Sequence, residues 1–327
     1  CAEQRRLLQI VAGGEQEHDE FLRFDPLFFE SGERGVTFMS LDRQPNRGEE
    51  NAKPFAAVPS VSVPKGGGAI RGIGEKFAVH PFTGTASISV PLPLSPGRSG
   101  FGPRLSLTYN SGTGNGPFGF GWSLTLSHIT RKTEKGLPRY RDAEESDVYI
   151  LSDAEDLVPV PWEDPAILAG GGEIRDYRID RYQPRVEGRF DRFERWTHRE
   201  SGIIHWRIIT RDNVTHLYGR SENSRIFDPG DPERIFSWLI CESYDDKGNA
   251  ILYEYAEEND ANVDTRLLNE RHRVRTANRY IKRIKYGNRV SRLIRPDLSE
   301  ADWLFEAVFD YGEGHYQPFN PEPDRPP

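Results

Sequence analysis

Apolar and polar residues alternate along most of the chain beyond residue 61, and this pattern predicts short β-strands. Residues 86–92 and 105–109 carry an apolar side chain at every second position. Because a period of two places those side chains on one face, each run is typical of a half-buried strand. Further strands are predicted at 147–151, 190–197, 202–211, 214–218, 235–244, 250–255, 280–286 and 303–311. The pattern predicts an all-β fold in which antiparallel hairpins form one curved sheet or sandwich.

Helix signals are sparse along the chain. Residues 173–188 and 257–278 are the least strand-like, and we expect a short helix or a loop in each. Between two predicted strands, Asp246-Lys247-Gly248-Asn249 is typical of a hairpin turn, because Gly and Asn tolerate a positive φ.

The composition divides the chain into four parts. Residues 61–313 are the predicted β domain, and residues 39–60 are a polar leader or linker that buries too little apolar area to order itself. Met39 is the only methionine, so we expect the natural product to begin there and residues 1–38 to be poorly ordered upstream sequence. Residues 314–327 are too rich in proline for a helix or strand and are predicted to be a linker that is cut short.

Charge and cysteine content exclude several classes of protein. The formal net charge of −8 opposes a nucleic-acid or anionic-membrane binder, because both need a basic excess. No apolar run approaches the roughly 18 residues that a spanning helix needs, so we expect no direct membrane contact. Only Cys1 and Cys241 are present, and Cys241 ends the apolar run Trp238-Leu239-Ile240, which predicts a buried thiol and no disulfide scaffold.

Two glycine-rich stretches invite a nucleotide-binding interpretation. Residues 114–119 satisfy the string G-x-G-x-x-G, but Pro117 and the following residues return the chain to a strand pattern instead of starting a helix. Gly66, Gly67 and Gly68 lack the Gly-Lys-Ser/Thr ending of a phosphate-binding loop. We therefore expect no cofactor.

Catalytic and metal-binding patterns are also missing from the sequence. The eight histidines include no helical H-x-x-x-H pair, and His198 and His205 are predicted on opposite faces or in different strands. No G-x-S-x-G string provides a serine nucleophile. The sequence predicts no catalytic residue and no metal ligand.

Several long segments nevertheless carry a family resemblance. The blocks "SVSVPKGGGAIRGIGEKF", "GPFGFGWSL", "RFERWTHRESGIIHWRIITRDNVTHLYG" and "WLICESYDDKGNAILYEY" occur in order between about residues 60 and 313. Together they resemble the SpvB-type domain, the family of Salmonella virulence plasmid 65 kDa B proteins, which also opens the B subunits of insecticidal toxin complexes. The residues that carry the resemblance, and that it implies are structural, are Lys65, Gly66, Gly67, Gly68, Gly72, Gly74, Glu75, Phe77, Gly119, Gly121, Trp122, Asp245, Gly248 and Asn249.

The resemblance implies a non-catalytic part of a secreted toxin complex that is cytoplasmic before export. The domain would form the first portion of an RHS-like β shell, built by the B subunit with the C subunit around a cytotoxic polypeptide. Its implied partners are the rest of the B subunit, the C subunit, the enclosed toxin and, indirectly, the A subunit. In agreement with an RHS-like shell, Tyr244 to Asn249 resemble one tyrosine-aspartate repeat, and Tyr286-Gly287-Asn288 is a fainter echo. An ordinary hairpin explains the same residues equally well.

Two alternatives stay open. The chain could be the delivery half of an SpvB-like ADP-ribosyltransferase, whose catalytic part needs a Ser-Thr-Ser strand and a Glu-x-Glu. No Ser-Thr-Ser occurs, and the only Glu-x-Glu is Glu15-Gln16-Glu17, ahead of the predicted domain. A surface adhesin module is the third interpretation.

Overall fold

The structure is a computed structural model, and it describes residues 8–13, 21–24, 76–80, 84–152, 155–161, 176–186, 188, 190–260 and 263–311. Within these ranges, strands account for the regular structure apart from short 3-10 turns, which confirms the predicted all-β class. The strands are β1 (Leu8–Gly13), β2 (Phe21–Phe24), β3 (Lys76–His80), β4 (Thr85–Pro91), β5 (Ser106–Asn110), β6 (Asn115–Gly116), β7 (Gly119–Phe120), β8 (Trp122–Leu124), β9 (His128–Arg131), β10 (Tyr149–Leu151), β11 (Glu155–Val160), β12 (Tyr177–Pro184), β13 (Arg192–His198), β14 (Ile204–Ile209), β15 (Thr215–Tyr218), β16 (Arg225–Asp228), β17 (Asp231–Tyr244), β18 (Ala250–Glu257), β19 (Arg279–Asn288) and β20 (Trp303–Asp310).

Eight of these strands form a closed antiparallel barrel. β9 to β15 follow one another as neighbours, and β17 closes the ring by pairing with β15 on one edge and with β9 on the other. Thr130 of β9 lies opposite Ser237, and His216 of β15 lies opposite Ser243. The predicted curved sheet is here closed into a barrel, and closure removes the free edges of these strands.

Strand β17 is 14 residues long and joins the barrel to the outer strands of the same sheet. Residues 237–239 pair with β9 in the barrel, whereas residues 242–244 pair with β18 on the same edge. From β18 the sheet continues outward through β19, β20, β1 and β2. We call β18–β19–β20–β1–β2 the extension sheet.

Large aromatic side chains fill the barrel. Trp206 and Trp238 are fully buried, with ring centroids 5.0 and 5.6 Å from that of Tyr149. Tyr182 packs edge-on against Trp206 at 4.9 Å. Edge-to-face contacts of this kind add to the gain from burying the apolar area, so these rings form the centre of the core.

A second layer covers one face of the extension sheet. β3, β4, β5 and β8 form a four-stranded sheet, and β6 and β7 form a two-stranded ribbon. Leu105 and Leu107 belong to the same buried cluster as Ile284 and Phe309 of the extension sheet. The chain therefore has one continuous core that joins both layers to the barrel.

Most of the predicted strands are confirmed, with ends that differ by a few residues. The helix or loop predicted for 173–188 is wrong, because residues 177–184 form β12. Its inward positions include Asp180, which binds a buried arginine, so the apolar alternation that marks a strand is interrupted. Residues 263–278 contain turns and no strand, as predicted.

Two strands lie within residues 1–38, where the sequence predicts poor order. β1 pairs with β20, for example Ile10 opposite Phe309, and β2 pairs with β1. The partner strand is about 300 residues away in sequence, so the local pattern does not reveal it. The other residues of 1–38 lie outside the described residues, as do the leader 39–60 and the tail 314–327.

Candidate functional site

A buried arginine closes one end of the barrel. Arg131, the last residue of β9, has a fully buried side chain. Its Nη1 and Nη2 donate to the two carboxylate oxygens of Asp142 at 2.6 and 2.8 Å, and Nη1 also donates to Asp147 at 2.8 Å. Its Nε donates to the carbonyl oxygen of Ile235 on β17 at 2.7 Å. Because a bidentate guanidinium–carboxylate pair is geometrically specific, it fixes the position of the loop that carries Asp142.

A second buried arginine, on β13, extends this network. Arg195 also has a fully buried side chain, and its Nη2 donates to Glu145 at 2.5 Å and to Asp180 at 2.8 Å. The hydroxyl of Tyr182 donates to Glu145, and that of Tyr149 donates to Asp142. Both arginines therefore lie beside tyrosine side chains and bind carboxylates of the same short loop.

The loop between β9 and β10 supplies three of the four carboxylates. Asp147 accepts hydrogen bonds from the backbone N–H groups of Arg139 and Tyr140, at 2.8 and 2.9 Å. A 3-10 turn spans Asp142–Glu144, and Glu145 follows it with φ of 51°. We call residues 139–147 the plug, because their acidic side chains reach into the end of the barrel.

The electrostatics of this network favour the charged forms. Burial alone would raise the pKa of Asp142, but the hydrogen bond and charge of Arg131 lower it below its ordinary value. Burial alone would lower the pKa of Arg131, but Asp142, Tyr149 and Asp147 raise it. Burial raises the pKa of Tyr149. At neutral pH the network therefore contains charged ion pairs and neutral tyrosine hydroxyls. These interactions keep the plug in one position, which is a structural role.

The hairpin turn between β17 and β18 is a second organised polar site. Asp245 Oδ1 accepts the backbone N–H groups of Lys247 and Asn249, both at 2.9 Å, and Oδ2 accepts the Asn249 amide at 2.7 Å. Gly248 has φ of +81°, as the predicted hairpin requires. Asn288, at the end of β19, donates to the Gly248 carbonyl oxygen at 2.8 Å and accepts the Ala250 N–H at 2.8 Å. The two segments that the sequence linked as repeat and echo are thus in contact.

Two described glycines of the family signature, Gly119 and Gly121, serve the small sheets. Gly121 has φ of +78°, and a Cβ there would lie 2.6 Å from the ring of Tyr109. Trp122 packs against Tyr109 with ring centroids 5.4 Å apart. Gly119 has φ of +105° and pairs with Gly116 in the β6–β7 ribbon. Strands β6 and β7 lie on the G-x-G-x-x-G string and β8 follows it, so the predicted return to a strand pattern is confirmed there.

The signature residues do not form a single site. Phe77 lies on β3 with 59% of its surface exposed, apart from the turn that holds Asp245, Gly248 and Asn249. Seven signature residues lie outside the described residues: Lys65, Gly66, Gly67, Gly68, Gly72, Gly74 and Glu75.

Three histidines and one cysteine among the described residues take structural positions. His198 and His205 lie on neighbouring strands and both contact the ring of Tyr177, at 5.2 and 5.1 Å. Burial lowers the pKa of His205 to about 3 and that of His216 to about 4. Cys241 is buried, as predicted, and burial raises the pKa of its thiol.

No group of three His, Cys, Asp or Glu side chains among the described residues could hold a metal ion. In the same ranges, a helix with the length and apolarity needed to cross a membrane does not occur. A shallow cleft of about 180 Å³ lies where β9 and β18 diverge along β17, and Phe118, Leu126 and Tyr255 line it. No sequence pattern predicts the plug, because its carboxylates lie 11 to 50 residues from the arginines that they bind.

The fold and these sites define an all-β barrel-and-sheet domain whose main polar clusters hold loops and strands together. A family model described as Salmonella virulence plasmid 65 kDa B protein, SpvB, matches residues 80–325. The chain therefore belongs to the SpvB family, which confirms the resemblance seen in the sequence.

Curated relatives and solved structures agree with this assignment. The mono(ADP-ribosyl)transferases SpvB of Salmonella choleraesuis and Salmonella typhimurium are each 37% identical over 275 residues, which is 81% of this chain and 44% of theirs. The chain thus spans less than half the length of these relatives. The N-terminal domain of effector protein SpvB from Salmonella typhimurium matches with 36% identity and a TM-score of 0.63, over 71% of this chain and 75% of that one.

Toxin-complex structures match at a similar level. The crystal structure of TcdB2-TccC3 has 36% identity and a TM-score of 0.65, over 78% of this chain and 12% of that one. The Photorhabdus luminescens Tc holotoxin pore has 37% identity and a TM-score of 0.65, over 79% of this chain and 12% of that one. The structural neighbours of this domain therefore include components of toxin complexes.

Proposed function

We propose that this domain is a non-catalytic structural part of a bacterial toxin complex and forms the first portion of a B-subunit shell. The observation that carries the proposal is the match to TcdB2-TccC3, with 36% identity over 78% of this chain. Likeness over nearly the whole domain supports a shared role more strongly than a short motif would. In this role the domain, with the rest of the B subunit and the C subunit, encloses a cytotoxic effector and contacts the A subunit only indirectly.

The polar clusters support a structural role. Arg131 and Arg195 bind carboxylates on the plug, and Asp245 and Asn288 bind the backbone of a turn. A catalytic acid or base needs a reacting group within reach, whereas these side chains are occupied by one another. We therefore propose that the domain is not an enzyme, and that it acts outside the cell as part of a secreted complex after a cytoplasmic stage.

A chimaera of TcdB2 tests this proposal. The segment of TcdB2 that matches the present chain is replaced by the present chain, and the chimaera is produced together with TccC3. We expect the two proteins to co-purify and to protect an enclosed polypeptide from added protease. A chimaera that folds, as judged by circular dichroism, but leaves TccC3 unbound or the enclosed polypeptide cleavable would contradict the proposal.

The curated relatives support a second candidate. They are mono(ADP-ribosyl)transferases 37% identical over 81% of this chain, so the domain could instead be the delivery half of such a toxin. The coding sequence downstream of this domain separates the two. Further shell repeats there would favour the toxin-complex B subunit, and an Arg, a Ser-Thr-Ser and a Glu-x-Glu in that order would favour the transferase.

A further inference from the structure

Four arginines are buried in the described part of the chain, and three of them bind carboxylates. Arg131 and Arg195 bind the acidic side chains described above, and Arg279 pairs with Glu257 at 3.0 Å. The fourth is Arg225, the first residue of β16, with only 9% of its surface exposed. It differs from the other three in the partners of its side chain.

The guanidinium of Arg225 makes no hydrogen bond and no ion pair with any residue that the structure describes. The charge of the exposed Glu222 acts on it only through space. Its Nε is shielded from solvent, whereas its two Nη atoms are not fully shielded. Because a buried cation has lost hydration without gaining a partner, burial lowers the pKa of Arg225. A small anion that reached the Nη atoms would therefore be bound favourably.

The backbone around Arg225 is fixed on two sides. A 3-10 turn spans Glu222–Ser224, and the N–H of Arg225 donates to the Glu222 carbonyl oxygen. The Ser224 hydroxyl donates to the Ser221 carbonyl oxygen at 2.7 Å. On the other side β16 pairs with β17, and Arg225 lies opposite the fully buried Trp238. The side chain therefore stands on a backbone with little conformational freedom left to lose when a ligand binds.

The surroundings of Arg225 are cationic. Burial, together with the charges of Arg220, Arg207 and Arg225, lowers the pKa of His205 to about 3, so this ring is neutral at neutral pH. Arg207 is already paired with Glu194 at 2.7 Å. A single negative charge at Arg225 would therefore meet an attractive field and would balance a cation that has no ion-pair partner within the described ranges.

From this geometry we infer that Arg225 is the binding group of an anion site that takes a small monocarboxylate. A planar guanidinium can donate two parallel hydrogen bonds to one carboxylate, as Arg131 does to Asp142. The ligand is small because so little of Arg225 is exposed, and it carries one charge because one cation is to be balanced. The inference goes beyond the proposed function, since enclosing a polypeptide requires no small ligand.

Stepwise replacement of chloride by acetate at constant ionic strength tests the inference on the full chain. The Nε–H signals of nitrogen-15-labelled arginines are followed by NMR at mildly acidic pH, where acetate is ionised and these protons exchange slowly. Each signal is assigned by its correlation with the backbone, so the measurement needs no variant. We expect the Arg225 signal to shift and to saturate. The control is Arg271, which is exposed and also makes no ion pair among the described residues, and its signal should not saturate.

Thermal unfolding in the two salts adds a second measurement. The unsubstituted chain and Arg271→Gln should melt at a higher temperature in acetate than in chloride, and Arg225→Gln should lose this difference. Arg225→Lys keeps the charge but not the planar fork, so we expect it to bind acetate at least about tenfold more weakly. An Arg225 signal that stays in place, or that shifts without saturation, would overturn the inference. The same acetate-dependent rise in melting temperature in Arg225→Gln as in the unsubstituted chain would also overturn it.

Discussion

The side-chain amide of Asn288 donates a 2.8 Å hydrogen bond to the carbonyl oxygen of Gly248, 40 residues earlier in the chain. The same carbonyl oxygen also accepts the N–H of Arg292. One turn residue thus connects the β17–β18 hairpin, the end of β19 and the loop that follows it. Three elements that are separate in sequence share one polar junction.

Asn288→Ala should destabilise the protein by roughly 2–4 kcal/mol, because it leaves the buried N–H of Ala250 and the carbonyl oxygen of Gly248 without this partner. Urea unfolding followed by tryptophan fluorescence measures the change. The control is Asn269→Ala on an exposed loop, which should change stability by less than about 0.5 kcal/mol. Equal effects of the two substitutions would mean that the junction contributes little.

Gly121→Ala and Gly100→Ala separate backbone strain from steric conflict. Both glycines have similar positive φ values, +78° and +75°, but only at Gly121 would a Cβ meet other atoms, 2.6 Å from the Tyr109 ring. We expect a cost of about 1–2 kcal/mol at Gly100 from strain alone. At Gly121 we expect roughly 3 kcal/mol or more, since overpacking adds to the strain. Thermal unfolding of both variants measures the difference, and equal costs would exclude a packing role for this signature glycine.

Asp142→Asn should destabilise the barrel by about 3–5 kcal/mol, because it removes the bidentate partner of a fully buried Arg131. Protease cleavage within the plug should also become faster, because the plug loses its main anchor. The control, Asp264→Asn, removes an exposed partner of Arg266 and should leave both measurements unchanged. If the plug of the Asp142→Asn variant stayed resistant to protease, this would contradict the role of Asp142 as its main anchor.

Stability should fall as the pH drops below about 6.5, because His205 and His216 are partly buried as neutral rings. Their pKa values are lowered from 6.5 to about 3 and about 4, so the unfolded chain binds protons that the native chain rejects. The loss of stability begins below the histidine pKa of the unfolded chain and ends near the pKa values of the folded chain. The free energy of unfolding changes by about 1.4 kcal/mol per pH unit for each histidine. Urea unfolding between pH 4.5 and 8 measures it.

A variant with His205→Gln and His216→Gln should lose most of this slope. Asp142 contributes separately, because its lowered pKa makes its stabilisation present above about pH 4 and lost on further acidification. Persistence of the full slope between pH 5 and 6.5 in the double variant would show that other groups carry it.

The sequence predicts most of the strands that have one apolar face, whereas a buried charge weakens the signal. β14 and β18 to β20 follow the alternation, and the structure has them where the pattern predicts. β13 was also predicted, although Arg195 is buried on it. β12 was missed because Asp180 occupies an inward position, where Arg195 makes it stable. Closure of the barrel was also missed, since pairing of Thr130 with Ser237 depends on residues more than 100 positions apart.

The turn at Gly248 was predictable from the sequence. Its contact with Asn288 was only suggested, by the faint echo of the repeat at Tyr286-Gly287-Asn288. Gly and Asn in a short turn carry a local signal, whereas contact between this turn and Asn288 requires the register of β18 against β19. The plug had no local signal at all. In the sequence alone its carboxylates are typical of an exposed loop. Only the structure shows that two arginines inside the barrel bind them.

The shared strand β17 also sets the order in which the domain can fold. During synthesis from the N-terminus, β9 must wait for more than 100 further residues before residues 237–239 complete its second edge. Pairings of such long sequence separation form slowly, and unpaired edges invite association with other chains in the meantime. Since the same strand then starts the extension sheet through residues 242–244, the nascent chain cannot finish either sheet before β17 has left the ribosome. We therefore expect the nascent domain to resist protease first when residue 244 has emerged from the ribosome.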